Sequence, residues 1–124
     1  MAKRRCFSID VMESDKYLDL SPQAKVLYVH FNLKSDDEGV VINPVSAMRF
    51  LGLDKRYLDE LIDSGFILDI EGLYIVAHWQ MHNRIPPSKM NPSVYHSKIK
   101  KLMLTDENIY TPLPRKPLVP VSEN

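Results

Sequence analysis

The sequence predicts an α+β domain, and three observations carry that prediction. Two pairs, Ser21-Pro22 and Asn43-Pro44, each open a stretch of helical apolar spacing. Glycines and an aspartate then stop and restart the helices at short intervals. Two short β-branched and apolar runs, 66–70 and 73–77, follow with Glu71-Gly72 between them. With 124 residues, 44% hydrophobic and 26% charged, the chain has the length and balance of one globular domain.

Ser21 supplies a capping hydroxyl, and Pro22 stands at the first helical position, where its missing N–H is harmless. Ala24, Leu27, Tyr28 and Phe31 then fall at i, i+3, i+4 and i+7, forming one apolar face. Val26, Val29 and Leu33 make a second stripe, expected of a helix that is central to its domain or docked on another chain. This helix should end near 34–37, with Gly39 of DDEG supplying the turn. Val40-Val41-Ile42 is enough for one brief strand. Asn43 as cap and Pro44 begin a second helix carrying Val45, Ala47, Met48 and Leu51, which Gly52 breaks. Asp54 caps a third. Its Tyr57, Leu58, Leu61 and Ile62 point one way, while Lys55, Arg56, Asp59, Glu60 and Asp63 share one charged arc. Gly65 suits a left-handed C-terminal cap, and Glu71-Gly72 a two-residue hairpin turn. Helix, strand, helix, short turn, helix, hairpin is the order of a winged helix-turn-helix with a short β-hairpin wing.

Beyond the hairpin, HWQMHNRIPPSKMNP predicts irregular backbone. Asn91-Pro92 then opens an additional C-terminal helix with Val94, Tyr95, Ile99, Leu102 and Met103 on one side. Pro112, Pro114, Pro117 and Pro120 make 105–124 a Pro-rich linker or tail. That leaves 1–104 as the domain, with a basic N-terminal arm at its start. A linker reaching Asn124 is expected to lead, in a longer protein, to a further region. With Cys6 as the single cysteine, no disulfide can form within the chain. No apolar run suits a signal peptide or approaches the ~20 residues that span a bilayer, so a cytoplasmic location is expected, without a membrane partner.

The formal net charge of zero conceals a segregation. Residues 6–71 hold 13 acids against 6 bases, whereas residues 72–105 carry Arg84, Lys89, Lys98, Lys100 and Lys101 and no acid. Such asymmetry points toward a polyanionic partner. Catalytic patterns are missing by contrast: there is no Gly-rich phosphate loop, nucleophile elbow or paired-carboxylate signature. His78 and His82 stand four apart without a nearby Cys or an HExxH glutamate, and read as structural or solvent-facing histidines rather than zinc ligands. Asp36, Asp37 and Glu38 lack EF-hand spacing and read as a polar turn. Cys6 reads as a structural thiol, and Trp79 as a core or interface anchor. The expectation is a protein that is not an enzyme, with neither metal nor cofactor.

In a helix-turn-helix, the N-terminal residues of the second helix meet base edges in the major groove. That assigns Lys55, Arg56 and Tyr57 to the groove, and Ser46 and Arg49 to nearby phosphates. Lys3, Arg4 and Arg5 would form an arm along the backbone or in a minor groove. Arg84, Lys89, Lys98, Lys100 and Lys101 would grip phosphates beside the wing. One feature opposes this assignment. The charged arc of the third helix sums to −1, and the wing tip carries Asp69 and Glu71. A scaffold for protein contact or oligomerisation is therefore a competing reading, and a transcriptional regulator shares the same fold.

Longer strings add a resemblance. KRRCFSIDVMESDKYLDLSPQAKVLYVHFNLKSDDEGVVINP, MRFLGLDKRYLDELIDSGFI, VAHWQMHNRI and NPSVY together resemble the N-terminal domain of phage replisome organisers. These are replication-initiation proteins of phages that infect low-GC Gram-positive bacteria, and the strings cover roughly 3–96. The resemblance implies a winged-helix domain that binds duplex origin DNA. It also implies a C-terminal region, absent here, that engages the host helicase-loading machinery. A looser similarity to DnaD-type primosome proteins implies self-association, for which Val26, Val29 and Leu33 of the first helix would serve.

Overall fold

The computed structural model describes residues 4–83, 93–99, 102–105 and 109–112. Two single-turn helices come first, α1 (Ile9–Met12) and α2 (Asp15–Leu18). Both precede Ser21, where the first helix was expected. Four residues are too few to display a helical period, which is why the sequence hides them. Ser14 caps α2 through its hydroxyl, which accepts from the Tyr17 N–H.

The main helix α3 (Pro22–Leu33) starts as predicted, with the Ser21 hydroxyl accepting from the Ala24 N–H at 3.1 Å. It buries Ala24, Leu27, Tyr28 and Phe31. α4 (Pro44–Leu51) ends on Gly52 in the left-handed region, φ +71. Its N-terminus corrects the expectation for Asn43, whose side chain caps nothing. Asn43 instead holds a left-handed backbone, φ +53, a conformation Asn tolerates better than most residues. α5 (Lys55–Asp63) is capped by Asp54, which accepts from the Arg56 N–H at 3.0 Å. α3 packs against both α4 and α5.

β1 (Ile67–Ile70) and β2 (Leu73–Val76) pair antiparallel through Glu71-Gly72, both at positive φ as a type I′ turn requires. The brief strand expected at 40–42 is reduced to isolated bridges, Val40 to Ile75 and Ser35 to Val41. The segment doubles back to Ser35 and so touches β2 over only two residues. Val41 N–H donates to the Tyr74 carbonyl, and Val76 N–H to that of Gly39.

After the hairpin, irregular backbone was expected, but Trp79–His82 forms a helical turn, α6, because Trp79 and His82 are both buried at i and i+3. The expected C-terminal helix is a single turn, α7 (His96–Ile99). Leu102 and Met103 leave it for β3 (Leu102–Leu104), which pairs antiparallel with β4 (Tyr110–Pro112). β4 lies within the stretch read as a linker and is tied in by the Tyr110 N–H, which donates to the Ala77 carbonyl at 2.8 Å. Burial of Leu102 with Val40, Ile75 and Ile99 outweighs helical continuation there.

The architecture is thus α+β: helices with two-stranded antiparallel sheets. The main core gathers Leu27, Tyr28, Phe31, Leu58, Leu61, Phe66, Ile67, Val76 and Trp79. Tyr17, Tyr28 and Phe66 meet edge to face at 5.3–5.9 Å. A second cluster covers the other face of the hairpin, where Leu68, Ile70 and Leu73 pack on Val40, Ile75, Ile99 and Leu102. Among the described residues no helix is long and apolar enough to cross a membrane.

Candidate nucleic-acid interface

The first turn of α5 presents Lys55 and Arg56 to solvent, with Tyr57 half-buried behind them. Arg56 is held in place locally. Its Nε donates to Asp54 Oδ1 at 3.0 Å and Oδ2 at 3.2 Å, and its guanidinium lies 5.3 Å from the Tyr57 ring centroid. The same hydrogen bond from Arg56 keeps the Asp54 carboxyl below its ordinary pKa. Both partners are open to water, so the pair contributes little to stability.

The charged arc of α5 is less hostile to an anion than its sequence suggests. Glu60 turns away from it. Its Oε2 accepts from the Ser21 N–H and its Oε1 from the Ser21 hydroxyl, both at 2.7 Å, tying α5 to the start of α3. Lys55, Arg56, Asp59 and Asp63 remain exposed, two of each sign. The hairpin tip keeps its acidic character, although Asp69 is occupied as a turn acceptor from the Gly72 N–H.

Arg49 is exposed on α4, and Ser46 lines a groove with His30, Leu33 and Phe50 between α4 and α3. Arg4 is exposed at the start of the described chain. Arg5 requires a correction. It is no part of a free arm, because its side chain is 2% exposed and its Nη1 pairs with Asp37 at 3.1 Å. Its Nη2 donates to the Ser35 carbonyl at 2.7 Å, and the guanidinium stacks 4.9 Å from the Trp79 ring centroid. Lys98 belongs to α7, whereas Lys3, Arg84, Lys89, Lys100 and Lys101 lie outside the described residues.

The motifs DDEG and HWQMHN are structural, and they work together. Trp79 is fully buried, donates from Nε1 to the Asp37 carbonyl at 2.9 Å, and fills the space beside Gly39. The acidic run is a polar turn, as expected, but a buried one. Asp36 Oδ1 accepts from the Glu38 and Val40 N–H groups, Asp37 pairs with Arg5, and Glu38 accepts from the Ser93 N–H. From the other side, residues 5–8 are stitched to α6. Cys6 N–H donates to Asn83 Oδ1 at 2.9 Å, and Ser8 N–H to His82 Nδ1 at 2.8 Å. The Cys6 residue itself is exposed, not packed as a structural thiol would be.

Because His82 Nδ1 accepts, the neutral ring carries its proton on Nε2, which bonds the Tyr28 hydroxyl at 2.6 Å. Burial, with the neighbouring His78 adding to it, lowers the His82 pKa to about 4. Burial likewise lowers that of His78 and raises those of Tyr17, Tyr28 and Tyr110. Among the described residues no group of three or more His, Cys, Asp and Glu is placed to hold a metal ion.

Sequence reading passed over Phe50, 79% exposed and 5.6 Å from the His30 ring. The signal was present, since Phe50 lies off the stripe of Ala47, Met48 and Leu51 that α4 turns inward. No protein-family model, no curated protein and no solved structure matches this chain.

Proposed function

We propose that this chain is a winged-helix domain that binds duplex DNA, acting in phage-type replication initiation. The observation that carries the reading is the exposed Lys55–Arg56 pair in the first turn of α5, the second of two helices joined by a tight turn beside a hairpin. In this reading α5 enters the major groove, and Arg49 on α4 approaches a phosphate. The turn of the Glu60 carboxylate toward Ser21 supports it by leaving two cations and two anions on the exposed part of the arc. Of the basic arm, Arg4 is left to contribute from the described residues. The replication role rests on the sequence strings that resemble phage replisome organisers and on the origin DNA which that resemblance implies; the helicase-loading partners it implies belong to the C-terminal region beyond the linker, not to this domain.

The second reading, a protein-interaction scaffold with self-association through the first helix, is favoured by a specific observation: Val26 and Leu33 of α3 are 47% and 44% exposed. Fluorescence anisotropy of a generic duplex of ~20 base pairs, at 50 and 200 mM salt, separates the two readings. Six or more phosphate contacts predict at least a ~10³-fold loss of affinity across that range. Arg56→Ala should weaken binding about tenfold and reduce the salt slope by about one. An absence of binding at the lower salt concentration would leave the scaffold reading.

A further inference from the structure

α3 and α4 leave a groove of about 650 Å³ between them, lined by His30, Leu33, Lys34, Ile42, Ser46 and Phe50. A second hollow continues it past Asn43 and Ser46 to Val45 and Arg49. Two properties set this surface apart. Phe50 and Leu33, 79% and 44% exposed, line the same groove, whereas monomer surfaces scatter such residues singly. No carboxylate lines either hollow, and the rim carries Lys34 and Arg49, although residues 6–71 hold 13 acids against 6 bases.

We propose that this groove docks an amphipathic helix of a partner protein, whose apolar side chains at i, i+4 and i+7 lie against Leu33, Ile42 and Phe50 and whose acidic face meets Lys34 and Arg49. The chemistry of the occupant follows from the lining. Apolar walls around an aromatic anchor make a centre that binds by excluding water, and a rim of one sign selects the opposite charge. A nucleic-acid strand fits less well. Leu33, Ile42, Ala47 and Phe50 offer its phosphates no hydrogen bond. Nor is the occupant α5 of a second copy, the acidic amphipathic helix of this chain. Its apolar residues Leu58 and Leu61 are already buried in the core.

The test is a titration of the full isotope-labelled chain, followed by amide chemical shifts. The probe is a helical peptide of about 15 residues with Leu and Phe at i, i+4 and i+7 and Glu elsewhere on its surface. Its control carries Lys in place of Glu. Saturable shifts confined to 26–34 and 42–50 are expected, with the acidic peptide binding at least about fivefold tighter than the basic one. Lys34→Glu should reverse that preference. Phe50→Ala, at an exposed position that folding does not need, should abolish binding while leaving duplex-DNA affinity unchanged. Lys34 and Phe50 take no part in the DNA-binding reading, so peptide binding and duplex binding fail separately, Arg49 being the one residue both would use. Equal affinity for both peptides, no shift at millimolar peptide, or shifts centred elsewhere would overturn it. So would occupation of the same face by a short oligo-dT, or a dimer in sedimentation equilibrium that Phe50→Ala dissolves.

Discussion

Two Arg–Asp pairs of nearly equal length sit in opposite surroundings. Arg5–Asp37 spans 3.1 Å with side chains 2% and 6% exposed, whereas Arg56–Asp54 spans 3.0 Å with 77% and 59% exposed. Distance alone would rank them together. Burial separates them, because water screens the second pair and is excluded from the first. The first pair is built into the fold, with a carbonyl and an indole ring around the guanidinium; the second is a water-screened cation held only by its own helix end.

Breaking the buried pair should have the largest effect. Asp37→Ala leaves the Arg5 charge without its carboxylate and should cost about 3–5 kcal/mol, read as a fall in the urea midpoint. If Asp37→Ala costs no more than Arg56→Ala, the contrast between the pairs fails. Gly39→Ala strikes the same cluster without touching a charge. Gly39 holds φ +92, and an added Cβ would lie 2.7 Å from Trp79 Cγ, so a loss of about 2–4 kcal/mol is expected.

Acid should loosen the same side of the molecule. The unfolded chain takes up a proton near the ordinary histidine pKa of 6.5, while folded His82 resists until about 4. Its contribution to stability is therefore complete above pH 6.5 and is lost as pH falls toward 4, on the order of 2–3 kcal/mol. Urea unfolding at pH 7 and pH 4.5 should show this loss in the wild type and a smaller one in His82→Gln. Equal losses would remove His82 from the account. The smallest effect is reserved for Arg56→Ala, which should leave the melting temperature within about 2 °C of the parent while weakening duplex binding.

The same contrast explains what the sequence made legible. α3, α4, α5 and the hairpin were readable because each is long enough to show its period and carries its own start or stop, at Ser21, Gly52, Asp54, Gly65 and Gly72. The exposed cations Lys55 and Arg56 were readable for a related reason, since their surroundings are mostly their own helix. Arg5 was misassigned to an arm because its partners, Ser35, Asp37 and Trp79, come from distant parts of the chain. Glu60 shows the same limit, its position in a charged arc revealing nothing of Ser21 on another helix. Where tertiary packing chooses between helix and strand, as at Leu102, local pattern loses to burial.

The attachment of residues 5–8 to α6 also sets an order of events. Two bonds from backbone N–H groups to side-chain acceptors join residues 77 and 74 positions apart, Cys6 to Asn83 and Ser8 to His82. During synthesis the segment made first must wait for partners made some seventy residues later. Closure over so long a loop slows folding more than it weakens the finished domain. α3 meets α4 and α5 across much shorter loops, so the bonds made by residues 6 and 8 are expected to follow those contacts, as a seam drawn across a body already formed.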